Sequence, residues 1–191
     1  MELDNSFEVP LQPAQAWPLL LDIRRIAPCM PGAEVTDVVD GKSYKGRIAV
    51  RLGPVALVFA GVITFEEIDN LNYRARVKAQ GSDAKGRGGA NASASFRLEP
   101  TASGSKVLVH TDLALSGAVA QYGRGVGIIQ ATAAQIMTQF ADNLKSQIGD
   151  GNLAAATTQG PSPPAARPIS GFALIAKVIW NAIVRVIAGR R

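Results

Sequence analysis

Residues 119–148 read VAQYGRGVGIIQATAAQIMTQFADNLKSQI, and in them apolar side chains recur at helical spacing. Tyr122, Val126, Ile129, Ala133, Ile136, Met137, Phe140, Leu144 and Ile148 form one stripe, while Gln121, Gln130, Gln135, Gln139, Asn143 and Lys145 take the other side. A helix with a single apolar stripe must bury it against another layer. Nearly everything before it reads as strand, so that layer is a sheet. The leading edge is unusual for a helix: Gly117, Gly123, Gly125 and Gly127 each cost roughly 1 kcal/mol of helix propensity.

Upstream, Leu3, Asn5, Phe7 and Val9 alternate as a first strand that Pro10 ends. Pro13 suits a first helical turn, and the helix it opens carries Ala16, Trp17, Leu20 and Leu21. Asp22 is placed to cap a second short helix through Arg24, Arg25 and Ile26. From Ala33 to Ser116 the period is two, interrupted by turn signals at Asp40-Gly41, Gly53-Pro54, Asp69-Asn70, Gly81 to Gly89 and Pro100 to Gly104. Six strands joined by short loops imply an antiparallel meander. The expected fold is therefore α+β, in the order β-α-α-β6-α, a curved sheet gripping the long C-terminal helix. Domain boundaries are expected at 1–148 for this unit, 149–171 for a linker and 172–191 for a tail helix.

Charge divides along the same lines. The chain has 191 residues and a formal net charge of +5, but residues 1–150 hold 15 basic and 15 acidic side chains. The whole excess comes from Arg167, Lys177, Arg185, Arg190 and Arg191, and a neutral domain with a basic tail argues against nucleic acid as the partner. A single cysteine, Cys29, excludes an intramolecular disulfide and argues against a thiolate metal site. Met1 to Asn5 has neither a positive start nor an apolar run, so the expected compartment is the cytoplasm.

The inward positions of the meander are small: Gly46, Gly61, Ala75, Ala79, Gly81, Ala90, Ala92 and Ala94. Interiors pack to crystal-like density, so these residues either let the helix approach closely or leave an apolar cavity. In the second case the expected lining is Phe59, Phe65, Tyr73, Phe96, Met137 and Phe140. The expected rim and gate are Cys29, Pro31, Gly32, Gly86, Gly123, Gly125 and Gly127. The polar residues that period places inside are Tyr44, Tyr73 and Thr111.

No catalytic constellation or metal-ligand spacing stands out. His110, the only histidine, and Asp112 fall on the outward side of their strand, where a solvated pair is expected. Gly86-Arg87-Gly88-Gly89 and Gly123-Arg124-Gly125-Val126-Gly127 are glycine-rich, but a dinucleotide fingerprint belongs to a parallel βαβ unit, not to a meander.

After Ile148, the run from Gly149 to Gly171 is rich in Gly, Ala, Thr and Ser and contains Pro161, Pro163, Pro164 and Pro168, the composition of a flexible linker spanning roughly 25–30 Å. Phe172 to Ala188 then forms an amphipathic pattern. Lys177, Asn181 and Arg185 make a narrow polar stripe against Phe172, Ile175, Ile179, Ile183 and Ile187, with Trp180 beside it and Arg190 and Arg191 at the end. Its helical length of about 26 Å falls short of a hydrocarbon core, so an in-plane helix on anionic lipid is expected, with docking onto a partner protein or back onto its own domain as the competing reading.

Trp17, Leu20 and Asp22, then Cys29-Met30-Pro31-Gly32-Ala33, Tyr44-x-Gly46, Leu52-Gly53-Pro54, Phe59-x-Gly61, Gly81, Gly86 to Ala92, Gly117, Ala120 and Gly123 resemble the CoxG family, named for the CoxG subunit of carbon monoxide dehydrogenase. The resemblance covers about residues 1–148. It implies a helix-grip fold of the START-like (SRPBCC) superfamily, a deep hydrophobic pocket and no catalytic triad. It further implies recruitment of a molybdenum-containing carbon monoxide dehydrogenase-type hydroxylase to the inner face of the cytoplasmic membrane, and handling of an isoprenoid quinone such as menaquinone or ubiquinone, with no covalently bound cofactor. The alternatives left open are an assembly or anchoring factor without ligand transfer and, ranked last, a lipid carrier or cyclase of the same superfamily.

Overall fold

The computed structural model describes residues 1–122 and 126–149. Strand β1 (Glu2–Val9) is followed by helices α1 (Pro13–Leu21) and α2 (Ile23–Ile26) and a 3-10 turn (Ala27–Cys29). Six strands follow: β2 (Ala33–Val38), β3 (Ser43–Leu52), β4 (Val55–Asp69), β5 (Arg74–Asp83), β6 (Gly88–Thr101) and β7 (Gly104–Gly117). A short helix α3 (Val119–Tyr122) precedes the long α4 (Val126–Gly149). The strands form one antiparallel sheet in the order β1-β7-β6-β5-β4-β3-β2, the expected meander with the first strand returning beside the last.

Local signals place the elements as the sequence implies. Pro13 sits in the first turn of α1, and the Asp22 carboxylate accepts the Arg25 N–H at 3.3 Å to cap α2. The β5–β6 turn is tighter than its glycine content suggests. Ser82 pairs with Gly89 and Gly81 with Ala90, so the ladder runs on until only residues 84–87 are left to turn.

The core lies between the sheet, α1 and the C-terminal half of α4. Phe7, Trp17, Leu20, Phe65, Leu98, Val107, Phe140 and Leu144 are all buried there. Phe7 and Phe140 meet edge to face at 5.4 Å, which fixes α4 over β1. Burying side chains of this size is worth roughly 1.5–3 kcal/mol each relative to leaving them exposed. Along α4 the expected stripe is confirmed where it is described: Ile129, Phe140 and Leu144 are buried, and Gln130, Gln135, Gln139, Asn143 and Lys145 are exposed. Helix is described over Val119–Tyr122 and Val126–Gly149, and residues 123–125 lie outside the described residues. So do the linker beyond Gly149 and the tail at 172–191.

Candidate functional site

The strand registers build the concave face row by row. Gly46, Gly61, Gly81, Ala90 and Leu115 lie side by side across five strands; Tyr44, Ile63, Ala79, Ala92 and Leu113 make the next row. The glycine row serves the curvature. A Cβ on Gly61 would run into the Gln80 carbonyl on β5, and one on Gly46 would lie 2.6 Å from the Glu34 carbonyl on β2. Neighbouring strands can close that far only where side chains are missing, so the sheet coils there.

Among the described residues, the helix comes closest to this face along β1 and β3, near the two flanks of the sheet, and it also approaches the 3-10 turn. If the small residues served only to admit the helix, its closest approach would be to β4, β5 and β6. Instead Gly61, Ile63, Ala79, Gly81, Ala90 and Ala92 remain half-buried beneath it. The inner side thus has a closed, packed part around Trp17 and an open apolar part around the glycine row.

The expected lining residues are divided between those parts. Phe65 and Phe140 are 4% and 5% exposed and belong to the packed core. Tyr73 meets Trp17 edge to face at 5.9 Å and Phe96 lies tilted against it at 5.7 Å, and half-buried Met137 packs on the same cluster. Phe59, half-buried in the row next to Gly61, faces the open part. Trp17 itself was readable only as a helix residue, yet it joins three elements: its Nε1 donates to Asn70 Oδ1 at 2.8 Å, next to Tyr73 with its left-handed φ of 48°.

Among the expected rim residues, Cys29 requires a correction. It is 0% exposed within the core, burial pushes its thiol pKa up, and its carbonyl accepts the Asn143 Nδ2 at 2.9 Å from α4. The proline-rich turn is folded under the helix, which takes the sulfur off the expected rim and into the core. Gly32 and Gly86 are exposed turn residues with φ of 75° and 69°, and Pro31 is half-buried. Gly127 is exposed on α4 with open space around it, whereas Gly123 and Gly125 lie outside the described residues. The membrane-facing set from Phe172 to Arg191 also lies outside them.

The glycine-rich 86–89 segment is held by its own carboxylate. Asp83 takes two bonds of 2.8 Å from Arg87 Nε and Nη2, and further bonds from the Lys85 and Arg87 N–H groups. The Arg87 guanidinium, first among these donors, holds the Asp83 carboxyl far below the usual carboxylate range. Arg87 also passes its carbonyl to the Val119 N–H at 3.1 Å, which ties this turn to α3. His110 lies outside as expected: its Nδ1 is 2.7 Å from Asp4 Oδ1 on β1, and that hydrogen bond raises its pKa.

On the inner face Asp83, in register with Phe59, is paired with Arg87, and the other polar groups are uncharged. Asn5 and Thr111 are half-buried on the inner faces of β1 and β7, with Tyr44 on β3. Asn5 stands in the inward row Leu3, Asn5, Phe7, Val9, and this broken period is the signal that could have marked it. Among the described residues no group of three or more His, Cys, Asp or Glu side chains is arranged to hold a metal. An open groove of about 600 Å³ lies against β2 at the edge of the sheet, lined by Arg24, Pro28, Val35 and Val38 among others. The geometry of the concave face suits binding and orienting an apolar molecule.

A curved antiparallel sheet closed over by a C-terminal helix, with an apolar half-open inner face, defines the START-like helix-grip class. The family model for the CoxG subunit of carbon monoxide dehydrogenase matches residues 6–149, and the chain belongs to that family. No curated protein matches the chain. Solved structures of similar fold include a conserved protein from Geobacillus kaustophilus, with a TM-score of 0.69, 18% identity, and 79% of this chain and 97% of that one covered. The Zhui aromatase/cyclase from Streptomyces sp. R1128 aligns with a TM-score of 0.57 at 11% identity, over 81% of this chain and 97% of its own. A protein from Thermus thermophilus gives 0.55 at 14%, over 76% and 98%. At these identities the likeness concerns the fold.

Proposed function

We propose that the protein is an accessory binding protein of a carbon monoxide dehydrogenase-type molybdenum oxidoreductase, carrying an isoprenoid quinone in its concave face and held at the cytoplasmic membrane by its tail. The observation that carries the reading is the apolar floor left half-exposed beneath α4, in a domain whose length the CoxG family covers. Family membership supports the partner class. The site supports the ligand class: an apolar floor with neutral Asn5, Thr111 and Tyr44, and an inward Asp83 taken up by Arg87. The amphipathic pattern of 172–191, with Lys177, Arg185, Arg190 and Arg191, supports the membrane. A tether raises the local concentration of the site at both membrane and enzyme without any new contact.

The test is extraction of the full-length protein after purification without added lipid, followed by mass spectrometry. An isoprenoid quinone near one per chain is the expected result. Phospholipid alone would convert the reading to a lipid carrier, and an empty extract from protein that still associates with the oxidoreductase would leave an anchoring role.

A further inference from the structure

We propose that Asn5 and Thr111 form a hydrogen-bonding end within the concave site, which selects apolar ligands bearing a neutral acceptor oxygen such as a ketone or quinone carbonyl. The inference rests on the reading of the concave face as a ligand site, and it names the groups that would tell one apolar ligand from another.

Three of the four inward residues of β1 are closed off: Leu3, Phe7 and Val9 are 7%, 9% and 3% exposed. Asn5 is the polar exception, and it is half-buried. A carboxamide on an apolar face costs free energy unless it is hydrogen-bonded, and a valine or leucine would fit the strand without that cost. The register puts Asn5 opposite Val109 and Thr111 opposite Leu3, so Asn5 and Thr111 are diagonal neighbours on one face. Diagonal neighbours lie about 7–8 Å apart, within reach of one ligand group placed between them. On its other side Thr111 faces Ala94, which leaves room.

The fold does not use these two side chains itself. Among the described residues neither has a hydrogen-bond partner, and no sealed side-chain polar atom is left unsatisfied, so both still reach open space. Two other polar side chains, Ser105 and Asp83, are engaged with their surroundings. Ser105 donates to the Leu11 carbonyl at 2.7 Å, and Asp83 is taken up by Arg87 and nearby N–H groups. The remaining donors, an amide N–H and a hydroxyl, are uncharged. The outward side of the same strands carries Glu2, Asp4, Glu8 and Asp112, which disfavours an anion. A neutral oxygen on an apolar body fits both conditions.

Equilibrium dialysis of the full chain with menadione and with 2-methylnaphthalene, which has the same ring skeleton without the carbonyls, tests this directly. Wild type should bind menadione at least about tenfold more tightly, as expected for one or two net hydrogen bonds. The near-isosteric double variant Asn5→Leu/Thr111→Val should keep its affinity for 2-methylnaphthalene and lose the preference. The single variant Thr111→Val should lose part of it, and gives the same reading if the double variant does not fold. Equal binding of the two probes by wild type, or a preference that survives the substitutions, overturns the polar end while leaving the apolar site in place. Binding of neither probe, together with a protein extract free of any apolar molecule, overturns both.

Discussion

At Trp17 a single side chain links helix, sheet and loop. Its ring packs against Tyr73 and Phe96, and its indole N–H satisfies Asn70 in the β4–β5 turn. Trp17→Ala removes this packing and the bond together, and should cost about 3–5 kcal/mol in denaturant unfolding. Two titrating groups make predictions of opposite sign. His110 is raised above its ordinary 6.5, chiefly by the hydrogen bond to Asp4. Its stabilising contribution is therefore present below pH 6.5 and lost as pH rises through the raised value. Asp4→Asn should lower the His110 titration midpoint in NMR, and its stability deficit should close on the alkaline side. Asp83 is depressed below its ordinary 3.8, chiefly by Arg87. Its contribution is present above pH 3.8 and fades as pH falls through the depressed value. Asp83→Asn should therefore be less stable than wild type at neutral pH in thermal melts, with the gap narrowing only in acid.

Two glycines at the scale of elements should respond oppositely to the same substitution. Gly61 lies where β4 and β5 close together, and a methyl there meets the Gln80 carbonyl and the Gly81 backbone. Gly61→Ala should destabilise by about 1–3 kcal/mol, because rigid backbone must shift. Gly127 is helical, exposed and surrounded by open space, so Gly127→Ala should stabilise α4 by about 0.8–1 kcal/mol. Thermal melts of both variants check the pair. Both glycines are visible in the sequence, but it does not distinguish them. Whether a glycine is needed depends on what its missing Cβ would meet, a fact about neighbouring strands. Strand number, the turns and the stripe of α4 were legible because each follows from residues close in sequence. The place of Cys29 beneath α4 was not, because it depends on Asn143, more than a hundred residues away.

For the whole molecule, domain and tail carry separable properties. Residues 1–150 balance their charges, whereas residues 151–191 supply the net +5, four of those charges in the tail and one, Arg167, in the linker. Deleting 172–191 should leave the thermal unfolding of the domain unchanged and abolish flotation with anionic liposomes. Equal flotation of the shortened and full-length chains would remove the membrane from the proposed function. The fold class, the order of its elements and the resemblance to the CoxG family were determined by the sequence alone, since periodicity, turn chemistry and motif order are local properties of a chain. The tertiary structure decided that α4 comes closest to the sheet along β1 and β3, that Tyr73 and Phe96 meet Trp17 while Phe65 and Phe140 join the packed core, and that Asn5 and Thr111 share one face. Those outcomes depend on curvature and register, which arise only when strands far apart in sequence pair.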